Sequence, residues 1–341
     1  MSVRIQAVNI DEADHLAAAF AVRAEMALES HPDGPAATVS SVRRQLIGSE
    51  VMGRFTLLAF RGAEPVGLLR MMFWDIEGSR DLAVCNLEVR TAHRRRGIGT
   101  DLLRAGLAHG AERQKSIVIG TGILSDATQG FWGDHLGLSC GLVERESRLQ
   151  LVDVDGDLMQ RWIEQRCDRA ADYRVEHVRG PFPPELRSAV ATLKTAMNDA
   201  PDDDLELDDE TWTATDVEAD DQFRLARGEQ RWSTIAFTID GQPAGMTEVI
   251  LIDEDETFGV QGNTAVLADH RDRGIGRWLK ADMWQRLRAD RPTLESLLVE
   301  NAASNAAMLA INDAMGFRET VRYADWQGEI SQLAARLAEH A

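Results

Sequence analysis

The chain has 341 residues, 44% hydrophobic and 27% charged, the make-up of a globular protein long enough for two domains. Its 56 acidic residues outweigh 37 basic ones, for a net charge of −19, which argues against sequence-independent nucleic-acid binding, since that needs cations to displace counterions from phosphate. No apolar run approaches the roughly 20 residues of a membrane span, no secretory signal opens the chain, and Cys85, Cys140 and Cys167 form no CxxC pair. The expectation is therefore a cytoplasmic protein with no zinc cage, no disulfide framework and no membrane partner.

In chain order, a short strand at Val3–Asn9 leads to a helical region at Ala13–Leu28. A polar stretch and a second helix follow, at Val39–Ile47. Two strands, Phe55–Phe60 and Val66–Trp74, flank the turn Gly62-Ala63-Glu64-Pro65, a hairpin signal. A third strand, Ala83–Val89, runs into an Arg/Gly loop that opens an amphipathic helix, Thr100–Gln114, with Leu102, Leu103 and Leu107 at helical spacing. A strand at Ser116–Gly120, a helix and a final strand complete this half, and a helix over about Asp157–Ala170 links it to the next.

The same order then repeats. Thr91–Gly99 recurs as Ala268–Gly276, Arg54–Phe60 as Arg231–Phe237, and Glu64-Pro-Val-Gly67 as Gln242-Pro-Ala-Gly245. The second set comprises a strand at Tyr173–Val178, helices at Pro184–Met197 and Thr215–Arg227, and the hairpin Ser233–Ile239 with Ala244–Ile252. It goes on through a strand at Gly259–Leu267, a helix at Arg277–Asp290 and a strand at Leu294–Val299, and closes on a helix at about Glu329–His340. This gives an N-terminal domain over 1–152, a linker helix over 153–172 and a C-terminal domain over 173–341. The acidic run Asp202–Glu210 reads first as a solvated loop leading into a helix N-terminus. The sharper alternative is a lip that attracts a cationic amine.

The chemistry sits in the repeated loop. Arg94-Arg-Arg96-Gly97-Ile-Gly99 and Arg271-Asp-Arg273-Gly274-Ile275-Gly276 each follow a strand and open a helix. Glycine lets the backbone turn tightly and approach a ligand. The helix N-terminus presents unbonded N–H groups and a partial positive charge, and arginines add charge-assisted contacts. The product is a pyrophosphate cradle. It lacks the third glycine of a Rossmann loop and the Gly-Lys-Ser/Thr of a Walker A loop. One copy is a weak signal. Two copies in register, each with a valine (Val89, Val266) five residues before the first arginine, are a strong one.

On these residues the chain resembles the GNAT superfamily of N-acetyltransferases, whose (Gln/Arg)-x-x-Gly-x-(Gly/Ala) loop matches both copies. The second half also matches the family's next motif in Val299-Glu300-Asn301, Asn305 and the run Met308 to Phe317. Nearly the whole chain is covered. Among tandem members it looks most like the actinobacterial group that includes mycothiol synthase.

The resemblance implies an α/β fold of two tandem GNAT-like domains. Each is a mixed, mostly antiparallel sheet with helices on both faces and a splayed strand pair that admits the pantetheine arm. It implies acetyl-CoA as cosubstrate and transfer of its acetyl (acyl) group to a small-molecule primary amine by direct attack in a ternary complex. Val266, Arg271, Arg273, Gly274, Ile275, Gly276 and Asn305 would bind the cofactor in the second half, and Val89, Arg94, Arg96, Gly97 and Gly99 in the first. No metal is implied.

The departures matter. Where many family members place a tyrosine that protonates the leaving thiolate, this chain has Asn312, which can donate a hydrogen bond but not a proton. The first half has Gly133 there and lacks the Asn305 equivalent, so the second half reads as the catalytic one. An aliphatic amine with a pKa of about 10 must lose a proton before it attacks. Glu248 and Glu300 are the candidate bases, each with an ordinary strand glutamate as the alternative, and Glu88 is a weaker candidate. His93 and His270 read as loop caps or solvent-facing groups, and Trp232, Trp278 and Trp284 as core. A non-catalytic acyl-CoA-binding sensor or interaction protein is the competing function.

Overall fold

The computed structural model describes residues 3–31, 34, 36–49, 52–165, 172–252 and 255–339. The chain divides into two compact units. One comprises Met1–Val143, Asp202–Asp208 and Val321–Ala341; the other comprises Glu144–Pro201 and Asp209–Thr320.

In the first unit β1 (Val3–Ala7) pairs antiparallel with β2 (Met52–Arg61), β2 with β3 (Glu64–Trp74), and β3 with β4 (Leu82–Val89). Strand β4 then pairs in parallel with β5 (Ile117–Ile123), and β5 pairs antiparallel with β12 (Arg318–Glu329). Helices α1 (Ala13–Ser30) and α2 (Val39–Leu46) bury Ala19, Val22, Met26 and Val42 against Leu58, Phe60 and Leu68. On the opposite face α3 (Ile98–Glu112) buries Leu102, Leu103 and Leu107 against Leu57, Leu69 and Met71. Both sheet faces are covered, which is why β2 and β3 read as continuous apolar runs rather than alternating ones.

The second unit repeats this order. Strands β7 (Tyr173–Arg179), β8 (Glu229–Thr238), β9 (Pro243–Ile252) and β10 (Asp255–Val266) are successively antiparallel. Strand β10 pairs in parallel with β11 (Ser296–Ala302), and β11 pairs antiparallel with residues 144–150 of β6 (Ser139–Gln150). Helices α5 (Pro184–Thr195) and α6 (Ala214–Ala226) cover one face. A capping box between Thr213 and Asp216 starts α6. Helix α7 (Ile275–Asp290) covers the other face, with Trp284 and Leu287 packed on Val249, Leu251 and Leu297. Trp232, Trp278 and Trp284 are all core residues, as expected.

The sequence-order boundaries 1–152 and 173–341 are corrected at one point. The last strand and helix of each half belong to the other half's unit. Strand β6 and helix α4 (Gly156–Glu164) complete the second unit, with Met159 and Trp162 in its core. Strand β12 and helix α9 (Ile330–Glu339) complete the first, with Ile330, Leu333 and Leu337 in its core. The sequence orders these elements correctly but assigns each to its own half, because strand pairing is a non-local property. The far end of the expected linker helix, with Cys167, lies outside the described residues.

One core position is costly. Lys280 on α7 is 2% exposed, its Nζ has no hydrogen-bond partner among the described residues, and it lies 5.8 Å from the centre of the Phe317 ring. Burial pushes its ammonium down to about 7. The unfolded chain therefore holds this proton between about pH 7 and the ordinary lysine range near 10.5, and the folded chain does not. Stability from this group is largest above that window and is lost as pH falls through it. Lys280→Met should raise the melting temperature at pH 7 by a margin worth about 3–5 kcal/mol. That margin should shrink toward pH 10, as thermal denaturation across pH would check.

Candidate active site

The loop after β10 is a backbone construction. Asp272 (φ 62°) and Gly274 (φ 79°) both take the left-handed conformation. Gly274 is the N-cap of α7 and no side chain caps that end. The helix's own ladder begins with Trp278 N–H to Gly274 C=O at 3.0 Å, so the amides before Trp278 precede it. A Cβ on Gly274 would meet nothing within 4 Å. An uncapped helix N-terminus facing open space fits an anion.

The first arginine of the loop is held by contacts within the protein. Arg271 donates from Nε to the Val266 carbonyl at 3.1 Å and pairs with Asp199. Arg94 in the first unit repeats this, with Nε on Val89 O at 2.9 Å and its fork on Glu29 at 2.7 and 2.8 Å. The Arg94 guanidinium holds the Glu29 carboxyl below its ordinary range. Both arginines tie the loop to its strand and to a carboxylate at a helix end. Arg273 and Arg96 are exposed, with Arg273 6.0 Å from the centre of the Tyr173 ring. Ile275 is a buried anchor of the helix. His270 bonds Tyr173 Oη at 2.9 Å and His93 approaches Glu64 at 3.3 Å, so both act as loop braces.

Strands β10 and β11 pair only at Phe258–Val260 with Ser296–Leu298, and beyond those positions they part. Leu267 N–H bonds Ala244 O at 2.9 Å. Antiparallel alternation then turns Val266 N–H away from β9, toward the gap. Between Gln261 and Thr264 the register against β9 shifts by one extra residue, a β-bulge at Gly262-Asn263. Glycine and asparagine inside a strand were its signal in the sequence.

Glu300 lies on β11 just past the last paired position, exposed, directly across from Glu146 of β6. The sequence reading missed Glu146, which comes from the exchanged strand and is buried beside Thr320. Glu248 is placed differently. It is 1% exposed, its Oε1 accepts from Asn263 N–H at 3.4 Å, and its Oε2 lies 3.8 Å from Arg231 Nε.

Asn305 caps α8 (Ala306–Met315), accepting from Met308 N–H at 3.2 Å. Asn312 is buried, and its Nδ2 donates to Asn301 Oδ1 at 2.7 Å.

The first unit keeps the loop but not its surroundings. Arg95 (φ 60°) and Gly97 (φ 80°) reproduce the turn, and Gly97 is likewise uncapped. Arg90 N–H bonds Val66 O, so Val89 N–H faces the gap as Val266 does. Strand β4, however, pairs with β3 from Gly67↔Val89 to Phe73↔Ala83 without a register shift, and with β5 over five positions. In place of α8 stands one helical turn and a π-helix, Gln129–His135, whose Phe131 lies 3.5 Å from where a Gly99 Cβ would be. Glu88 pairs with Arg23, and with Arg70 at 3.7 Å, and is not placed as a base.

A family model described as the acetyltransferase (GNAT) family matches residues 22–137 and 195–317. The chain belongs to this family. It is a tandem GNAT-type acyltransferase, and GNAT enzymes use acetyl-CoA. A tandem GNAT protein from the clavulanic acid biosynthesis pathway superposes with a TM-score of 0.76 at 20% identity, over 96% of this chain and 99% of that one. A GCN5-related N-acetyltransferase from Sphaerobacter thermophilus superposes at 0.66 and 16% identity, over 96% of each chain. The glucosamine N-acetyltransferase region of a fungal multi-domain GH3 β-N-acetylglucosaminidase superposes at 0.67 and 14% identity, over 96% of this chain and 38% of that one. These likenesses show the GNAT fold. No curated protein matches the chain. No helix among the described residues is long and apolar enough to cross a membrane.

Two outcomes follow from the geometry. Gly274→Val forces a β-branched residue to φ 79° over the open end of α7 and should cut CoA affinity at least tenfold. Gly276→Ala should be tolerated, because its Cβ would meet Val266 and Ile311 only at 3.8 and 3.9 Å. Calorimetric CoA titrations, run in a Gly97→Val background to silence the first unit, would check both. Asn312→Ala strands Asn301 Oδ1 and should cost about 1–2 kcal/mol of stability. Its effect on turnover should stay below about tenfold, roughly 1.4 kcal/mol; denaturation and steady-state rates measured together would separate the two effects.

Proposed function

We propose that this GNAT protein transfers an acetyl group from acetyl-CoA to a primary amine by direct attack in a ternary complex, and that the second unit is the catalytic one. One observation carries the assignment to that unit. That unit joins the uncapped loop to a bulged, parting strand and a regular α8, whereas the first unit has the loop but neither the bulge nor the regular helix.

The amides of Gly274, Ile275 and Gly276, with Arg273, would receive the pyrophosphate, and Arg271 would hold the loop in place. Acetyl-CoA supplies the acyl group as an activated thioester. Val266 N–H faces the gap and would donate to the thioester carbonyl oxygen as negative charge develops there. Glu300, exposed at the mouth of the parted strands, would take the proton from the ammonium. Asn312 has no proton to give, so the thiolate would leave unprotonated or with a proton from solvent.

The test is thiol release from acetyl-CoA across a panel of primary amines. Glu300→Gln should lower kcat by about a hundredfold at pH 7. That deficit should narrow as pH approaches about 10, where about half of the amine is already neutral. A deficit that does not depend on pH would remove Glu300 as the base. CoA binding with no thiol release from any amine would instead support a non-catalytic acyl-CoA sensor.

A further inference from the structure

The bulge in β10 is held by side chains from beneath. Gln261 Nε2 donates to the Glu248 carbonyl at 2.7 Å and to Thr247 Oγ1 at 3.1 Å, and Thr247 Oγ1 lies 2.8 Å from Thr264 Oγ1. The Glu248 side chain enters the turn itself. Asn263 N–H reaches its Oε1 at 3.4 Å, and a Cβ on Gly262 would meet its Cγ at 2.9 Å. The bulge is wrapped around this one carboxylate.

The carboxylate is anchored in turn. Its Oε2 lies 3.8 Å from Arg231 Nε, and Arg231 pairs through Nη1 with Asp220 Oδ2 at 2.7 Å and through Nη2 with Asp221. Asp220 also receives Lys194 Nζ at 3.0 Å. Lys194, Asp220, Asp221, Arg231 and Glu248 are all buried, on α5, α6, β8 and β9. Removing one member of such a set leaves uncompensated buried charge, so the set is stiff.

We propose that Glu248 is a positioning residue, braced by Arg231, that fixes the Gly262-Asn263 bulge and thereby aims the Val266 amide that follows it into the gap. One extra residue in a strand reverses the facing of every later N–H, so the aim of Val266 depends on where the bulge sits. The aiming role rests on the acyl-transfer reading; the clamp on the bulge does not. The first unit has Arg70 in the pairing row that Glu248 occupies here and shows no bulge between β3 and β4.

Three variants of the full chain test this, by hydrogen exchange over residues 261–266, by CoA titration, and by thiol release across the amine panel. Glu248→Gln keeps an acceptor for Asn263 N–H, and Arg231 keeps Asp220 and Asp221 as counter-charges. It should exchange like the wild type and keep kcat within about threefold, with an unchanged pH profile. Glu248→Leu should speed exchange over 261–266 at least tenfold and lower kcat at least thirtyfold, while CoA affinity stays within threefold. Gly262→Ala collides with Glu248 and should resemble Glu248→Leu, and adding Glu248→Ala to it should restore part of the loss. Wild-type exchange in Glu248→Leu would overturn the clamp. A loss of a hundredfold or more in Glu248→Gln, with one limb of the pH profile gone, would overturn positioning in favour of proton transfer. If Glu248→Leu destabilises the fold, Gly262→Ala with its partial rescue decides the matter. Thiol release absent from the wild type with every amine would sink the acyl-transfer reading and with it the aiming role, and the exchange data would still decide the clamp.

Discussion

The choice of one unit as the candidate catalyst turns on the failure of one parallel strand pair to stay paired. A strand that leaves its neighbour exposes a row of N–H and C=O groups that cannot remain unsatisfied in a protein interior. In the second unit β10 and β11 separate after Val260 and Leu298, and the bulge at Gly262-Asn263 begins two residues later. A bulge bends its strand and sharpens its twist, so the parting has a local cause in the chain. In the first unit no bulge interrupts β4 and the parallel pairing persists to Asn86 and Thr121. The deeper gap and the bulge occur together, in the unit that also keeps the regular α8.

The exchange of the last strand and helix sets a second constraint. Strand β11 finds its antiparallel partner in residues 144–150, and β5 finds its own in residues 323–329. Neither half of the sequence contains the six strands of either unit. Each unit closes only when chain from the other half arrives, so the units must form through contacts of long sequence separation, which slow folding. The exchange also decides who stands beside Glu300, since its cross-strand neighbour, Glu146, comes from the first half of the sequence.

Much of this was legible in the sequence, and the rest was hidden for physical reasons. The hairpins, the amphipathic helices and both Arg/Gly loops were readable because turn chemistry and periodicity are local. Helix α7 begins at Ile275 and strand β9 ends at Ile252, close to where the pattern placed them. The exchange was invisible because a strand's sequence does not name its partner. Glu248 read as a base because a glutamate near the expected site is chemically suited to the role. Its burial against Arg231 depends on three other elements folding around it. Arg271 read as a phosphate ligand for the same kind of reason, and its pairing with Asp199, far away in sequence, was not readable. The π-helix at Gln129–His135 was expected only as a helix, since nothing local distinguishes an extra residue per turn.

Compared position by position, the two units differ most on the sheet face that carries α1 and α2 in one unit and α5 and α6 in the other. In the first unit a single row runs Thr56, Arg70, Asn86, Thr121 and Asp325 across five strands. In the second, Ser233 and Glu248 are paired, the bulge with Asn263 follows, and Glu300 stands opposite Glu146. Where the second unit has Glu248 the first has Arg70, a largely buried guanidinium bonded to Asn86 and Gln45 and held down to about 10 by desolvation. Where the second has Glu146 the first has Asp325, whose carboxyl burial pushes up. The loops, by contrast, agree in backbone angle, in the glycine N-cap and in the tethered first arginine. A backbone cradle reads only phosphate geometry and is indifferent to the acceptor, so it survives duplication unchanged. The side-chain row has to match an acceptor's charge. An arginine in the centre of that row would repel an ammonium, whereas an exposed carboxylate such as Glu300 would draw it in. Under the proposed acyl transfer, the loop that would face phosphate is thus shared by both units, and the face that would receive a cationic amine is built in only one.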